Sequence, residues 1–207
     1  MRNFQVKIVC VEETMHSTGN GCTYDDMRSM KNQNYDGIDR LTGLYNGEYA
    51  LKEIQAYMEQ NPECTAAVYI MDIDNFRTVD ETLGRLFGNE IMKEIAAAIC
   101  QVFGKQAVIG RIGGDKFLIF EKNYESVGRI RENAKELCHR ARSTFKGEDQ
   151  NFVISLSIGI AIMPDDGYEW KQLAQHATQA LTYVKNHGKD GYEFYNSEMD
   201  TVDEPAD

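Results

Sequence analysis

Two stretches of this chain carry residues whose types and spacing could do chemistry together. Val68 to Phe76, VYIMDIDNF, is an apolar run bounded by polar residues that stops at Asp72 and Asp74. Arg111 to Phe117, RIGGDKF, sets a glycine pair and Asp115 between two short apolar runs, Ala107 to Ile112 and Phe117 to Phe120. Carboxylates brought together from a strand end and a neighbouring hairpin make a hard oxygen site suited to Mg²⁺, which shares its ligands with substrate phosphates. Such a site can run phosphoryl or nucleotidyl transfer. Either stretch alone says little, because a lone GGD is usually a tight hairpin with its acid in water, and acids at strand ends are commonly just solvated.

The elements that must position these residues are legible from periodicity. Strand, glycine pair, carboxylate, strand reads as a hairpin in which Gly113 and Gly114 can take positive φ and leave room for a ligand near the backbone. The run before Asp72 reads as a buried strand. Asn46 is a plausible N-cap for a helix on which Leu51, Ile54 and Met58 recur at helical spacing until Asn61-Pro62. Phe76 to Leu83 reads as a short helix, and Ile91, Ile95, Ile99, Val102 and Phe103 define a longer one that ends at Gly104. Val127, Ile130, Ala134, Leu137 and Ala141 mark another amphipathic helix. Phe152 to Met163 reads as one apolar strand, Pro164-Asp165-Asp166-Gly167 as a turn, and Leu173, Ala177, Leu181 and Val184 as the stripe of a last helix. Gly191 to Tyr195 can close the sheet. Strands alternating with helices, one hairpin included, predict an α/β (α+β) domain with a central mixed β-sheet flanked by helices.

These stretches sit in a longer series of ordered motifs: Asp39-Arg40-Leu41-Thr42-Gly43-Leu44-Tyr45-Asn46, then Asp72-Ile73-Asp74-Asn75-Phe76, then Gly113-Gly114-Asp115-Lys116-Phe117, then Ser157-Ile158-Gly159, then Ala180-Leu181 with Lys185, Gly188 and Lys189. From Asp39 to Tyr195 the chain resembles the GGDEF domain of bacterial diguanylate cyclases, whose motifs are D-x-L-T-G-L-x-N, D-I-D-x-F, the signature itself, S-I-G and A-L-x-x-x-K-x-x-G-[RK]. The resemblance implies a palm-like fold related to nucleotidyl cyclases and polymerases. It also implies an activity, the joining of two GTP molecules into cyclic di-GMP across a dimer, with Mg²⁺ or Mn²⁺ held by Asp72, the Ile73 carbonyl and Asp115. Phe76, Arg77, Asp80, Asn89, Gly113, Gly114, Lys185 and Lys189 fall where the family binds nucleotide, Arg77 as a phosphate-binding cation, Asp80 and Asn89 as readers of guanine.

Several positions depart from that pattern. The family's second signature acid is Lys116 here, which exchanges a hard anionic ligand for an ammonium and changes the local charge by two units. That ammonium could hold a phosphate as a point charge without activating it, or could simply be solvated in a chain that no longer binds nucleotide. Asp80 and Asn89 keep one carboxylate and one amide with their positions exchanged, so they could still meet the donors and acceptor of guanine, or the pocket could be relaxed toward another base. Gly47 and Glu48 stand where two arginines are usual. The product-inhibition motif R-x-x-D would fall at Gly104 and Ala107, neither of the required type. The expected role is therefore a catalytically degenerate domain of cyclic di-GMP signalling that senses a guanine nucleotide or binds a partner, with or without a metal. The alternative is a working diguanylate cyclase that tolerates Lys116.

Composition narrows the classes further. The chain has 207 residues, 42% of them hydrophobic, enough for one domain with a modest appendage. A net charge of −11 argues against nonspecific nucleic-acid binding, which needs clustered Lys and Arg. Cys10, Cys22, Cys64, Cys100 and Cys138 are odd in number and scattered, as expected of free thiols in a reducing cytoplasm. No run of eighteen apolar residues and no signal-like start is present, so no membrane span is expected. His16, His139, His176 and His187 lack metal-ligand spacing, and no nucleophile elbow or phosphate-binding P-loop occurs. Residues 1–36 read as an N-terminal strand and linker, either the remnant of a sensor module or a small appendage of its own, 37–196 as the GGDEF domain, and 197–207 as an acidic tail expected to be disordered. A homodimer or a regulatory protein is the expected partner besides the nucleotide.

Overall fold

The computed structural model describes residues 37–146 and 151–201. The predicted N-terminal strand and linker lie outside that range. In chain order the elements are β1 (Tyr45–Asn46), α1 (Gly47–Gln60), β2 (Ala66–Ile73), α2 (Phe76–Leu83), α3 (Arg85–Phe103), β3 (Ala107–Gly113), β4 (Lys116–Lys122), α4 (Val127–Ala141), β5 (Ser143–Lys146), β6 (Asn151–Ile154), β7 (Leu156–Met163), α5 (Trp170–Asn186) and β8 (Gly191–Phe194). A six-stranded sheet in the order β1-β3-β4-β2-β7-β8 forms the centre. Its strands pair antiparallel from β3 through β7, and the two edge strands are parallel to their neighbours.

Alternation along β2 decides which helices cover which face. Ala67, Tyr69, Met71 and Ile73 point into a core shared with α3 and α4. Ala66, Val68 and Ile70 point into a second core shared with α1 and α5. Every residue of β2 is buried, as a central strand between two layers requires. Asp72 stands on the α1/α5 side because it is two residues on from Ile70.

The local signals act as their chemistry dictates. Asn46 caps α1, its Oδ1 accepting from the Tyr49 amide at 2.9 Å, and Glu48 in the first turn favours the positive end of the helix dipole. Gly104 ends α3 with φ +59°. Val127, at the start of α4, is exposed rather than buried.

Three expectations change. Phe152 to Met163 is not one strand: β6 pairs with β5 in a separate two-stranded hairpin, and Ser155 is the break before β7 enters the main sheet. Ser155 leaves the ladder because its hydroxyl and carbonyl serve Asp74, the hydroxyl donating to the Asp74 carboxylate and the carbonyl accepting the Asp74 amide. The segment expected to be disordered from 197 is ordered at its start, where Ser197–Thr201 forms a 3₁₀ turn that buries Met199. The remainder, from 202, lies outside the described residues. Tyr45–Asn46 is also a strand, too short for any periodicity to announce.

Candidate functional site

Because β4 runs antiparallel to β2, the hairpin that starts β4 lies beside the end of β2 that carries the acids. Gly113 and Gly114 take φ of +138° and +53°, the conformations for which the glycine pair is needed. The turn is tied to β2 by the Ile73 amide, which donates to the Asp115 carbonyl at 3.2 Å. A second tie comes from the first motif. Arg111 donates through Nε and Nη2 to the Gly114 carbonyl at 2.9 and 2.6 Å, and through Nη1 to the Asp39 carboxylate at 3.1 and 3.2 Å. Asp39 in turn accepts from the Thr42 amide and hydroxyl at 2.9 and 2.7 Å. The opening motif thereby braces the hairpin, a role that no spacing in the sequence disclosed.

Burial alone would raise the Asp39 carboxyl, but hydrogen bonds from Thr42, followed by the charge and hydrogen bond of Arg111, outweigh it and hold the group below its ordinary value. A carboxyl lowered on folding contributes stability that is present above its unfolded pKa and lost as pH falls through the folded one. We therefore expect Asp39→Asn to lower the melting temperature at neutral pH, and the gap to the natural protein to close in acid below the usual aspartate range. Equal melting temperatures at pH 7 would show that the brace is idle.

Asp72 and Lys116 face one another across the β2–β4 ladder, so their side chains share a face. Asp72 is only 4% exposed, and its charge is met by a different cation: Lys185 Nζ of α5 lies 2.6 Å from its Oδ2. Lys185, expected to serve a phosphate, is thus the counter-ion of the expected metal ligand. Burial, then the nearby Asp72 carboxylate, raise Asp115 above its ordinary value, partly offset by Lys185 and Lys116. The second acid of D-I-D, Asp74, is a buried structural hub that accepts from the Ser155 and Ser157 hydroxyls at 2.6 Å each and from the Asp190 amide at 3.0 Å. Lys189, with φ +62°, donates to Asn75 Oδ1 at 2.7 Å and holds the β2–α2 turn.

Of the residues expected around the base, Phe76 and Asp80 meet where α2 and α3 touch. A Cβ on Gly88 would lie 2.7 Å from Asp80 Oδ1 and 2.9 Å from the Phe76 ring, so only glycine lets the two helices approach there. Asn89 follows directly in α3. Phe76 and Asp80 are therefore brought together at Gly88. Arg77 is set apart, its exposed guanidinium paired with Glu81 at 2.8 Å on α2. Exposed i,i+4 pairs of this kind are weak, so a phosphate could recruit Arg77 at little cost.

The donor set does not suit a pair of divalent ions. Asp72 and Asp115 are the acids at the strand ends, Asp72 is already engaged by Lys185, and Lys116 adds a second ammonium opposite it. Among the described residues no group of three or more His, Cys, Asp or Glu side chains converges as a ligand set. The expected Mg²⁺ or Mn²⁺ site at Asp72, Ile73 and Asp115 thus offers two carboxylates, one of them paired with Lys185.

This sheet, with acids at one end and a glycine hairpin beside them, matches a known family. The model of the diguanylate cyclase GGDEF domain covers residues 37–191, and the chain belongs to that family. It is 32% identical over 163 residues to the bifunctional diguanylate cyclase/cyclic di-GMP phosphodiesterase MucR of Pseudomonas aeruginosa, covering 78% of this chain and 24% of MucR. It is 28% identical over 161 residues to the cyclic di-GMP phosphodiesterase PdeR of Escherichia coli, covering 78% of this chain and 24% of PdeR. The chain spans about a quarter of the length of those curated relatives. Among solved structures, the GGDEF domain of YfiN from Pseudomonas aeruginosa aligns with TM-score 0.73 at 21% identity, covering 80% of this chain and 98% of that one. The GGDEF domain of DgcB from Caulobacter crescentus, solved with c-di-GMP, aligns with TM-score 0.67 at 22% identity, covering 78% and 97%. These likenesses establish the fold.

Proposed function

We propose that this domain is a catalytically degenerate member of cyclic di-GMP signalling that binds a guanine nucleotide and acts as a nucleotide-sensing or partner-binding module. The observation that carries the reading is the Asp72–Lys185 pair at 2.6 Å with Lys116 opposite Asp72 in register, which replaces a metal-binding cluster of acids by a balanced set of charges. Phosphates would be met by Arg77, Lys189 and Lys185, the last exchanging Asp72 for them, and the base by Phe76, Asp80 and Asn89. Gly113 and Gly114 leave the backbone open for that approach: a Cβ at either would meet nothing within 4 Å. The competing reading, a working cyclase, draws on the retention of Asp72 and Asp115. No helix among the described residues is long and apolar enough to cross a membrane, and we place the domain in the cytoplasm, where GTP is available, acting as a homodimer or on a regulatory protein.

Titration calorimetry tests the binding half of this reading. GTP or GDP is expected to bind with modest affinity that changes little when Mg²⁺ is added, because protein ammonium and guanidinium groups rather than a metal supply the charge. Absence of heat with every guanine nucleotide, with and without metal, would reject it.

A second expectation concerns the product. Gly104 and Ala107 stand where the family's inhibitory Arg and Asp would be, and neither side chain can pair with a phosphate or a guanine edge. Cyclic di-GMP at micromolar concentration should leave hydrogen exchange around residues 104–107 unchanged. Protection there would contradict this.

A further inference from the structure

On the sheet face covered by α1 and α5 the two helices do not close. A groove of about 380 Å³ opens between them, within the range of small-molecule sites. Leu51 of α1 lines one side, Trp170, Ala174 and Thr178 of α5 the other, and Leu118 of β4 the floor. The groove stays open because the positions that could fill it are small. Gly47 has no side chain, and a Cβ there would already crowd the Ile112 backbone at 3.3 Å, while Ala174 offers a single methyl group.

One end of this apolar groove is cationic. Lys116 and Leu118 are two residues apart on β4 and so project to the same face, which sets the ammonium at the hairpin end of an apolar floor. The carboxylate opposite it, Asp72, is already taken by Lys185. Among the described residues Lys116 has no ion pair or hydrogen bond of its own side chain. Asp115 is an acidic neighbour close enough to feel its charge. That neighbour limits an incoming head group to little negative charge and favours a monocarboxylate over a phosphate dianion.

We propose that this groove binds a small amphipathic organic acid, with an aliphatic body between α1 and α5 and a carboxylate on Lys116. The site lies apart from the helix pair that would read a base and does not depend on guanine-nucleotide binding.

Trp170 is the only tryptophan of the chain, so its emission reports on the groove directly. The full chain would be titrated with octanoate below its micellar threshold and with 1-octanol, with calorimetry alongside to detect binding that leaves the emission unchanged. Saturable octanoate binding is expected. Lys116→Gln should weaken octanoate roughly tenfold, the loss of a charge-assisted contact, and leave octanol unaffected. Thr178→Phe, at an exposed position on the groove wall, should abolish binding of both while the melting temperature holds. No saturable octanoate binding, equal octanoate affinity in Lys116→Gln, or full binding in Thr178→Phe would each overturn the proposal. Should Thr178→Phe fail to fold, Lys116→Gln, an exposed change, still decides it.

Discussion

Purified protein incubated with GTP and either Mg²⁺ or Mn²⁺ is expected to yield no detectable cyclic di-GMP when the nucleotides are separated by chromatography. The motive is the charge at the end of β2. An acid replaced by Lys116 shifts the local charge by two units, and Asp72 is already neutralised by Lys185 at 2.6 Å. At a partly screened site, with unit charges a few ångströms apart, each unit is worth on the order of 4 kcal/mol against a cation. A loss of that size corresponds to turnover at least roughly a thousandfold below an intact site. Lys116→Glu should restore weak synthesis if Asp80 and Asn89 still accept guanine, and adding Asp80→Asn with Asn89→Asp should raise it further. Robust synthesis by the natural protein would overturn the degenerate reading. Silence from the triple variant would place the lesion elsewhere, in the dimer geometry or in the Gly47-Glu48 helix start.

Gly159→Ala is expected to be among the most destabilising single-methyl changes in the domain. A Cβ at that position would lie 2.0 Å from the Ala177 carbonyl oxygen and 2.2 Å from the Leu181 nitrogen, both backbone atoms of α5. Backbone cannot rotate aside as a side chain can, so the helix must lift from β7, and the second core with it. Overpacking of this severity costs about 3 kcal/mol or more. For a domain of this size that lowers the melting temperature by roughly 6 to 12 °C. Gly128→Ala in α4 is the control, because the nearest atom to its Cβ is the Ser126 hydroxyl oxygen at an ordinary 3.6 Å. It should be neutral or stabilise by up to about 1 kcal/mol, as alanine does for glycine in a helix. Equal melting temperatures for the two variants would mean that α5 does not rest on β7 as closely as described.

Much of the fold was legible because it is local. A continuous apolar run placed β2 and period-3.6 apolar patterns placed α1, α3, α4 and α5, and Asn46, Gly104 and the Gly113-Gly114 pair act through their own backbone and side-chain chemistry. Where the pattern misled, a tertiary partner had overridden it. Phe152 to Met163 is uniformly apolar, yet it splits at Ser155 because Asp74, far away in the chain, needs that residue's hydroxyl and carbonyl. Val127 fits the helical stripe but lies in the first turn, beyond the reach of the sheet.

For the site, the sequence by itself determined which charges are present: Asp72 and Asp115 kept, Lys116 in place of an acid, Gly104 and Ala107 unable to bind a phosphate. Residue identity settles the inventory because each side chain brings its charge and donors wherever it lies. Only the tertiary structure decided who partners whom. Lys185 meets Asp72 rather than standing free for phosphate, Asp39 and Arg111 brace the hairpin, Asp74 is a hydrogen-bonding hub, and α1 and α5 leave a groove that ends at Lys116. These pairings depend on strand register and on how closely helices lie on the sheet, and such long-range geometry leaves no period in the chain to read.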